Sequence, residues 1–238
     1  MNRKHFLRKG LVGMGAIVAI PTVITACSKD EDSELTEGSD SSDSGVIGDC
    51  ELSPSETAGP FPIKTPAELA RENIIADRTG VALLINLTIQ DQSDDCNPLA
   101  GVLVDVWHCD ADGNYSQYGG TQMQRTDYSD KDFLRGRQTT DSNGQVSFIS
   151  IFPGWYQGRA PHIHLEILDS SEKSIRVTQI AFPKEVCDTV YASDGYNGEA
   201  DTQNETDNVF SDSLNGNMLD DITGNTTDGY TLTKTIVV

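Results

Sequence analysis

Two histidines one residue apart, in "GRAPHIHLEI" (158–167), are the first candidates for chemistry. Side chains alternate across a strand, so His162, His164 and Glu166 share one face. Ile163, Leu165 and Ile167 share the other, which suits a core. The histidine face therefore looks toward solvent, a cleft or a metal. A metal needs three or four convergent donors, and this strand supplies two. Two tyrosines extend the candidate set, each following a glycine-containing turn just after a strand-like run. They are Tyr115 in "DADGNYSQYGG" and Tyr156 in "FPGWYQGRAPHIH". An unperturbed phenol loses its proton only near a pKa of about 10, so tyrosine is an unusual ligand. Hard trivalent iron favours that deprotonated oxygen. Two phenolates and two imidazoles would balance most of the charge of Fe(III) and leave a position open. On residue types alone, a plainer reading stands beside this one: turn tyrosines are commonly packing aromatics with wet hydroxyls.

Neighbouring residues offer competing assignments. Tyr118 lies three residues from Tyr115 and is an alternative oxygen donor. His108, in "VWHCD", shares a strand face with Val104 and Val106, which reads as a satisfied core histidine. Trp107 and Trp155 read as packing residues or pocket walls. "DADGN" superficially suggests a calcium loop, but its Gly113 comes too early and Thr121 stands where a glutamate is needed. Cys50, Cys96, Cys109 and Cys187 form no CxxC pair, which argues against a zinc–cysteine site. In an exported chain their even number suggests two disulfides, with three pairings open.

The elements that must position these residues are short strands. Candidates are 81–90, 102–108, 145–152, 162–168, 175–182 and 230–238, separated by turn signals such as "CNPLAG", "DADGN" and "DSNG". Helical periodicity is confined to "TPAELAREN" (65–73). The pattern predicts an all-β fold, an antiparallel β-sandwich with long loops and little helix, over residues 50–238. The polar, acidic stretch 188–229 reads as a long loop of functional or mobile character.

Four segments together carry a family resemblance. "SPSETAGPFPI" (53–63), "NPLAGVLVDVWHCDADGNYSQY" (97–118), "FLRGRQTTDSNGQVSFISIFPGWYQGRAPHIHLEI" (133–167) and "VTQIAF" (177–182) resemble the intradiol ring-cleavage dioxygenases. The branch they resemble most is the protocatechuate 3,4-dioxygenase-like proteins. The resemblance implies a non-haem Fe(III) held by Tyr115, Tyr156, His162 and His164, with G-x-Y-S favouring Tyr115 over Tyr118. It implies a catechol-type substrate and O2, with ring cleavage between the two hydroxyl-bearing carbons to give a muconate-type diacid. Tyr156 would be the donor that yields to substrate and accepts its proton. Arg159 and Gln179 match the arginine and glutamine that line the family's pocket. The short spacing from Tyr156 to His162 departs from protocatechuate-type enzymes, whose ring-substituent contacts are therefore not carried over. The alternative reading is a non-catalytic sandwich module that binds an aromatic compound or a surface partner; filled ligand positions argue against it.

The first 26 residues read as an export signal. "MNRKHFLRKG" is basic, an apolar run follows, and "ITAC" resembles a lipobox ending in Cys27. The apolar run is shorter than the roughly 20 residues of a membrane span. "RKHFLRKG" is also similar to a twin-arginine signal with lysine in its second place. Residues 27–49 are acidic and Ser-rich and read as a tether. Removing 1–26 removes four basic and no acidic residues, taking the net charge from −20 to −24. That charge disfavours a nucleic-acid partner. The expected location is the cell envelope, reached by export and held by a lipid on Cys27. A Cys27→Ala variant is expected to lose labelling by palmitate; persistent labelling would refute the anchor.

Overall fold

Strict alternation in Ala82–Asp91 (β1) puts Leu83, Ile85, Leu87 and Ile89 on one buried face. The computed structural model describes residues 50–238, so the expected signal segment and tether lie outside the described residues. After β1 come β2 (Asn97–Pro98), β3 (Leu103–Trp107), β4 (Arg135–Thr139), β5 (Gln145–Ile151), β6 (His162–Leu168) and β7 (Ser174–Ala181). The chain then forms helix α1 (Lys184–Tyr191), a single helical turn α2 (Leu214–Asn217), β8 (Asp221–Asn225) and β9 (Gly229–Val237). One sheet runs β2-β1-β9-β8, with β5 also paired to β1; the other runs β4-β3-β6-β7. The pairings are antiparallel except that of β1 with β9, which is parallel.

The two sheets face each other across one apolar core. Leu83, Ile85, Leu87, Phe148 and Leu232 come from the first sheet, and Val104, Val106, Ile163, Leu165 and Ile167 from the second. Each fully buried side chain of this size contributes roughly 2 kcal/mol of transfer free energy. Strand β6 sits inside its sheet, between β3 and β7, and opposite residues pair His164 with Trp107 on one side and with Gln179 on the other. That register puts both histidines on the outer face of the sheet.

Several expectations change. The stretch 65–73 forms only a 3-10 turn at Pro66–Leu69, because Ala70 and Asn73 then bridge to Arg137 and Ile149 and pull the chain extended. The stretch 188–229 is less irregular than its polarity suggests: it holds the end of α1, all of α2, and β8 paired with β9. Helix α1 buries Cys187, Val190 and Tyr191 along one face. The expectation of two disulfides is corrected to one among the described residues, Cys50–Cys96. Cys109 and Cys187 are free and buried in different apolar clusters, where they pack as small hydrophobes. Among the described residues no helix is long and apolar enough to cross a membrane.

The disulfide joins cysteines 46 residues apart. Closing a loop of that length removes enough unfolded-state entropy to stabilise the fold by about 4 kcal/mol at most. Reduction, or Cys96→Ser, is expected to lower the midpoint of thermal unfolding by roughly 10 °C. An unchanged midpoint would show that the bridge does not constrain the unfolded chain.

Candidate metal centre

The outer face of β6 carries the two imidazoles into a buried cleft. His162 and His164 are 2% and 1% exposed. Their Nε2 atoms lie 3.1 Å apart. His162 Nδ1 donates to the Ala160 carbonyl at 2.6 Å, so its Nε2 carries a lone pair directed inward. His164 stacks flat on Trp107, with centroids 4.9 Å apart and planes 3° from parallel. Its Nδ1 is buried without a hydrogen bond of good geometry. Gly59 approaches the same ring: its φ is +67°, and a Cβ there would lie 2.9 Å from His164 Cε1. Glycine meets both the conformational and the steric requirement.

The tyrosines arrive from two loops. Asp110 Oδ1 accepts from the Asp112 and Asn114 N–H groups and closes the turn before Tyr115. Gln124 clamps Tyr115 from its own backbone outward, accepting from its N–H at 2.6 Å and donating to its carbonyl at 2.8 Å. Phe61 stacks on the Tyr115 ring, and the hydroxyl reaches 3.3 Å from His162 Nε2. Tyr156 opens the turn that the Arg159 N–H closes on its carbonyl, and its ring lies edge-on to Tyr115 at 5.7 Å and to His162 at 5.6 Å between centroids. Tyr115 is fully buried, whereas Tyr156 is only partly buried. The two phenols are thus unequal in access.

Burial disfavours the charged form of every donor. It pushes His162 down to about 3, helped by the nearby Arg159 charge. It also lowers His164 well below an ordinary imidazole, with the neighbouring His162 adding to the effect. It raises Tyr115 well above an ordinary phenol, and raises Tyr156 against the opposing pull of Arg159. Neutral imidazoles with inward lone pairs, beside phenols that only a strong positive charge would ionise, fit a hard multivalent cation. Among the described residues no group of three or more His, Cys, Asp and Glu side chains could hold a metal, so a cation here would depend on the phenol oxygens.

The structure places the remaining candidates around this set. Arg159 Nη2 donates to Gln179 Oε1 at 2.7 Å, and Gln179 Nε2 donates to the Thr57 carbonyl at 2.8 Å. Tyr118 points away from the donors: its hydroxyl donates to the Pro62 carbonyl at 2.9 Å. His108 is a satisfied core residue, bonded through Nδ1 to the Cys109 carbonyl and through Nε2 to Ser150 Oγ. Trp155 packs against the core and donates from Nε1 to the Gly198 carbonyl.

Sequence reasoning missed Arg135 and Asp207. Arg135 is fully buried without a carboxylate, donating to the carbonyls of Ser116 and Phe61. Burial lowers it to about 10, and its guanidinium lies 5.8 Å from the Tyr115 ring centroid. Asp207 is buried against Arg159. Arg135 lies within the family-like segment 133–167 but nothing there marks it as a site residue, and Asp207 is one carboxylate in an acidic stretch; the tertiary fold brings both near the donors.

The family model described as "Dioxygenase" (Dioxygenase_C) matches residues 59–205. A chlorocatechol 1,2-dioxygenase of Rhodococcus opacus is 28% identical over 126 aligned positions, covering 45% of this chain and 46% of that relative. The match thus spans under half of that relative's length. The solved intradiol ring-cleavage dioxygenase from Tetranychus urticae superposes with a TM-score of 0.69 at 31% identity, covering 79% of this chain and 94% of that one. The dioxygenase domain of a dioxygenase–carbohydrate-binding fusion from Streptomyces sp. SirexAA-E gives 0.57 at 25% identity, covering 79% and 98%.

The histidines set the acid response of the metal-free protein. Burial pushes His108 down to about 4 from 6.5. The unfolded chain binds that proton across the interval while the folded chain does not, so stability falls as pH drops from 6.5 toward 4. His162 and His164 act in the same direction. Asp105 and Asp110, raised mainly by burial, act in the opposite one. His108→Gln is expected to flatten the slope of unfolding free energy against pH by about 1.4 kcal/mol per pH unit near pH 5. Denaturant melts across the interval measure it, and an unchanged slope would show that His108 does not carry the effect.

Proposed function

Since the chain belongs to the intradiol ring-cleavage dioxygenase family, we propose that it is a non-haem Fe(III) enzyme opening a catechol-type ring with O2. Cleavage falls between the two hydroxyl-bearing carbons and yields a muconate-type diacid. The observation that carries the reading is the convergence of the His162 and His164 Nε2 atoms with the Tyr115 hydroxyl, and the Tyr156 ring closing the cluster. Tyr115, Tyr156, His162 and His164 would hold Fe(III), which would supply the Lewis acidity that favours the ionised form of a catechol.

The chain's own residues divide the remaining work. Tyr115, sealed under Phe61, is the permanent oxygen donor. Tyr156 has solvent access and the Arg159 charge beside it, so its Oη is the base that takes a substrate proton. Arg159 offers a fixed positive charge to the negative charge that builds on the ring during cleavage. Gln179, held by Arg159 on one side and by the Thr57 carbonyl on the other, keeps the pocket wall in place. The partners are a catechol-type molecule and O2; an acidic surface of this strength is not one for nucleic acid. With a lipid on Cys27, the enzyme would meet its substrate in the cell envelope.

Purified protein is expected to bind about one iron and to show a tyrosinate-to-iron absorption band in the visible. Oxygen uptake across a panel of catechols identifies the ring that it opens. Tyr156→Phe is expected to lower kcat by about a hundredfold or more, and His164→Ala to lose iron. A colourless, iron-free protein, or an iron-loaded one that consumes no oxygen with any catechol, would sink the reading.

A further inference from the structure

The polar stretch 188–229 sends a fully buried carboxylate to the candidate centre. Asp207 is 0% exposed. Its Oδ2 accepts from Arg159 Nε at 2.8 Å and from the Ala160 N–H at 2.6 Å. Its Oδ1 accepts from Arg159 Nε at 3.1 Å and from the N–H groups of Val209 and Phe210 at 2.8 and 3.3 Å. Burial alone would raise this carboxyl, but Arg159 and the backbone donors outweigh it and hold it below the usual range. It is an ionised group deep in the protein, and such groups occur where they are fully paired.

The pairing leaves Arg159 little freedom. Its Nε is gripped by Asp207, its Nη2 by Gln179, and the Phe210 ring lies 5.5 Å from the guanidinium carbon. The two grips come from different elements, the 188–229 stretch and β7. A planar guanidinium held at two of its edges has one orientation, and its positive charge pulls the Tyr156 phenol down against the effect of burial. The carboxylate would weaken the Arg159 field if Arg159 were its sole partner. Three backbone N–H groups share that negative charge, so orientation is gained with less loss of field.

We propose that Asp207 is a positioning residue for ring cleavage, which orients the Arg159 guanidinium toward Tyr156 and the substrate from the 188–229 stretch. The proposal rests on the ring-cleavage reading above.

The test compares Asp207→Asn, Arg159→Ala and the double variant in the iron-loaded protein. Asn204→Ala is the control: Asn204 anchors the same stretch by donating to the Phe182 carbonyl, without touching Arg159. Asp207→Asn keeps the size of the side chain but turns an NH2 group toward N–H donors. It is expected to lower kcat by about a hundredfold, the scale of a misplaced catalytic group, with little change in KM. The double variant should lose no more than Arg159→Ala alone, because Asp207 acts through Arg159. A second readout needs no turnover. In the metal-free protein the Arg159 Nε–H resonance, identified by its loss in Arg159→Ala, should be sharp and slowly exchanging, and should broaden or vanish in Asp207→Asn. Should Asp207→Asn prove too unstable to assay, slow exchange of that resonance in the wild type still tests the grip. Multiplicative losses in the double variant, an unchanged resonance, or an equal kcat loss in Asn204→Ala would each overturn the proposal in an active enzyme. Absence of ring cleavage by the iron-loaded wild type would overturn the functional reading as well, while the resonance still reports whether Asp207 orders Arg159.

Discussion

The register of β6 is the constraint on which the centre depends. Ile163, Leu165 and Ile167 are fully buried in the sandwich core, and neighbouring strands hold β6 on both sides. Slipping the strand by one residue would drive the imidazoles into the core and the isoleucines into the cleft. The core therefore fixes the direction of the histidines far more firmly than any contact within the cleft. It also explains why a flat Trp107–His164 stack is possible, since the two residues are opposite partners in the β3–β6 ladder.

Around that rigid strand the electrostatics are organised for a cation. Imidazoles are held neutral and phenols protonated by burial, and the two nearby arginines are satisfied in different ways. Arg135 is surrounded by carbonyl oxygens and keeps its full charge beside Tyr115, whereas Arg159 is matched by Asp207. A permanent cation near a phenol favours the phenolate, so both arginines oppose the effect of burial on the tyrosines. The asymmetry of access then separates the tyrosines: one is sealed under Phe61, and the other is partly open to solvent.

The alternation in β1, β3, β5, β6, β7 and β9 was legible because each strand buries one apolar face. Strand β4 was not, and Gly136 shows why. Its inward position faces Ile74, where a Cβ would meet Cγ2 at 2.4 Å, so the core-facing residue has no side chain to signal burial. The outward positions carry Arg135 and Arg137, which read as surface but are buried by loops crossing the outer face. Strand β8, "DITGN", is an exposed edge with almost no apolar content. At the centre, His162, His164, Tyr115, Tyr156, Arg159 and Gln179 stood out by spacing and by motif. Asp207 did not, being one carboxylate in an acidic stretch whose partner lies 48 residues earlier. The free pair Cys109 and Cys187 shows the same limit, since parity counts cysteines but not their positions in the core.

The segment before β1 acts on the centre mainly through its backbone. Thr57, Phe61 and Pro62 present carbonyls to Gln179, Arg135 and Tyr118, and Gly59 presents an absent side chain to His164. Backbone acceptors place little demand on residue type, which makes such a strap hard to recognise from sequence. Its outer end is tied by the Cys50–Cys96 bridge, and Ser53 is bonded to Val237 of β9. The family match begins at Gly59 and ends at residue 205, so Thr57 and Asp207 both lie just beyond it. Arg159 and Gln179 are thus held from two directions, Gln179 by the strap before β1 and Arg159 by the stretch after α1.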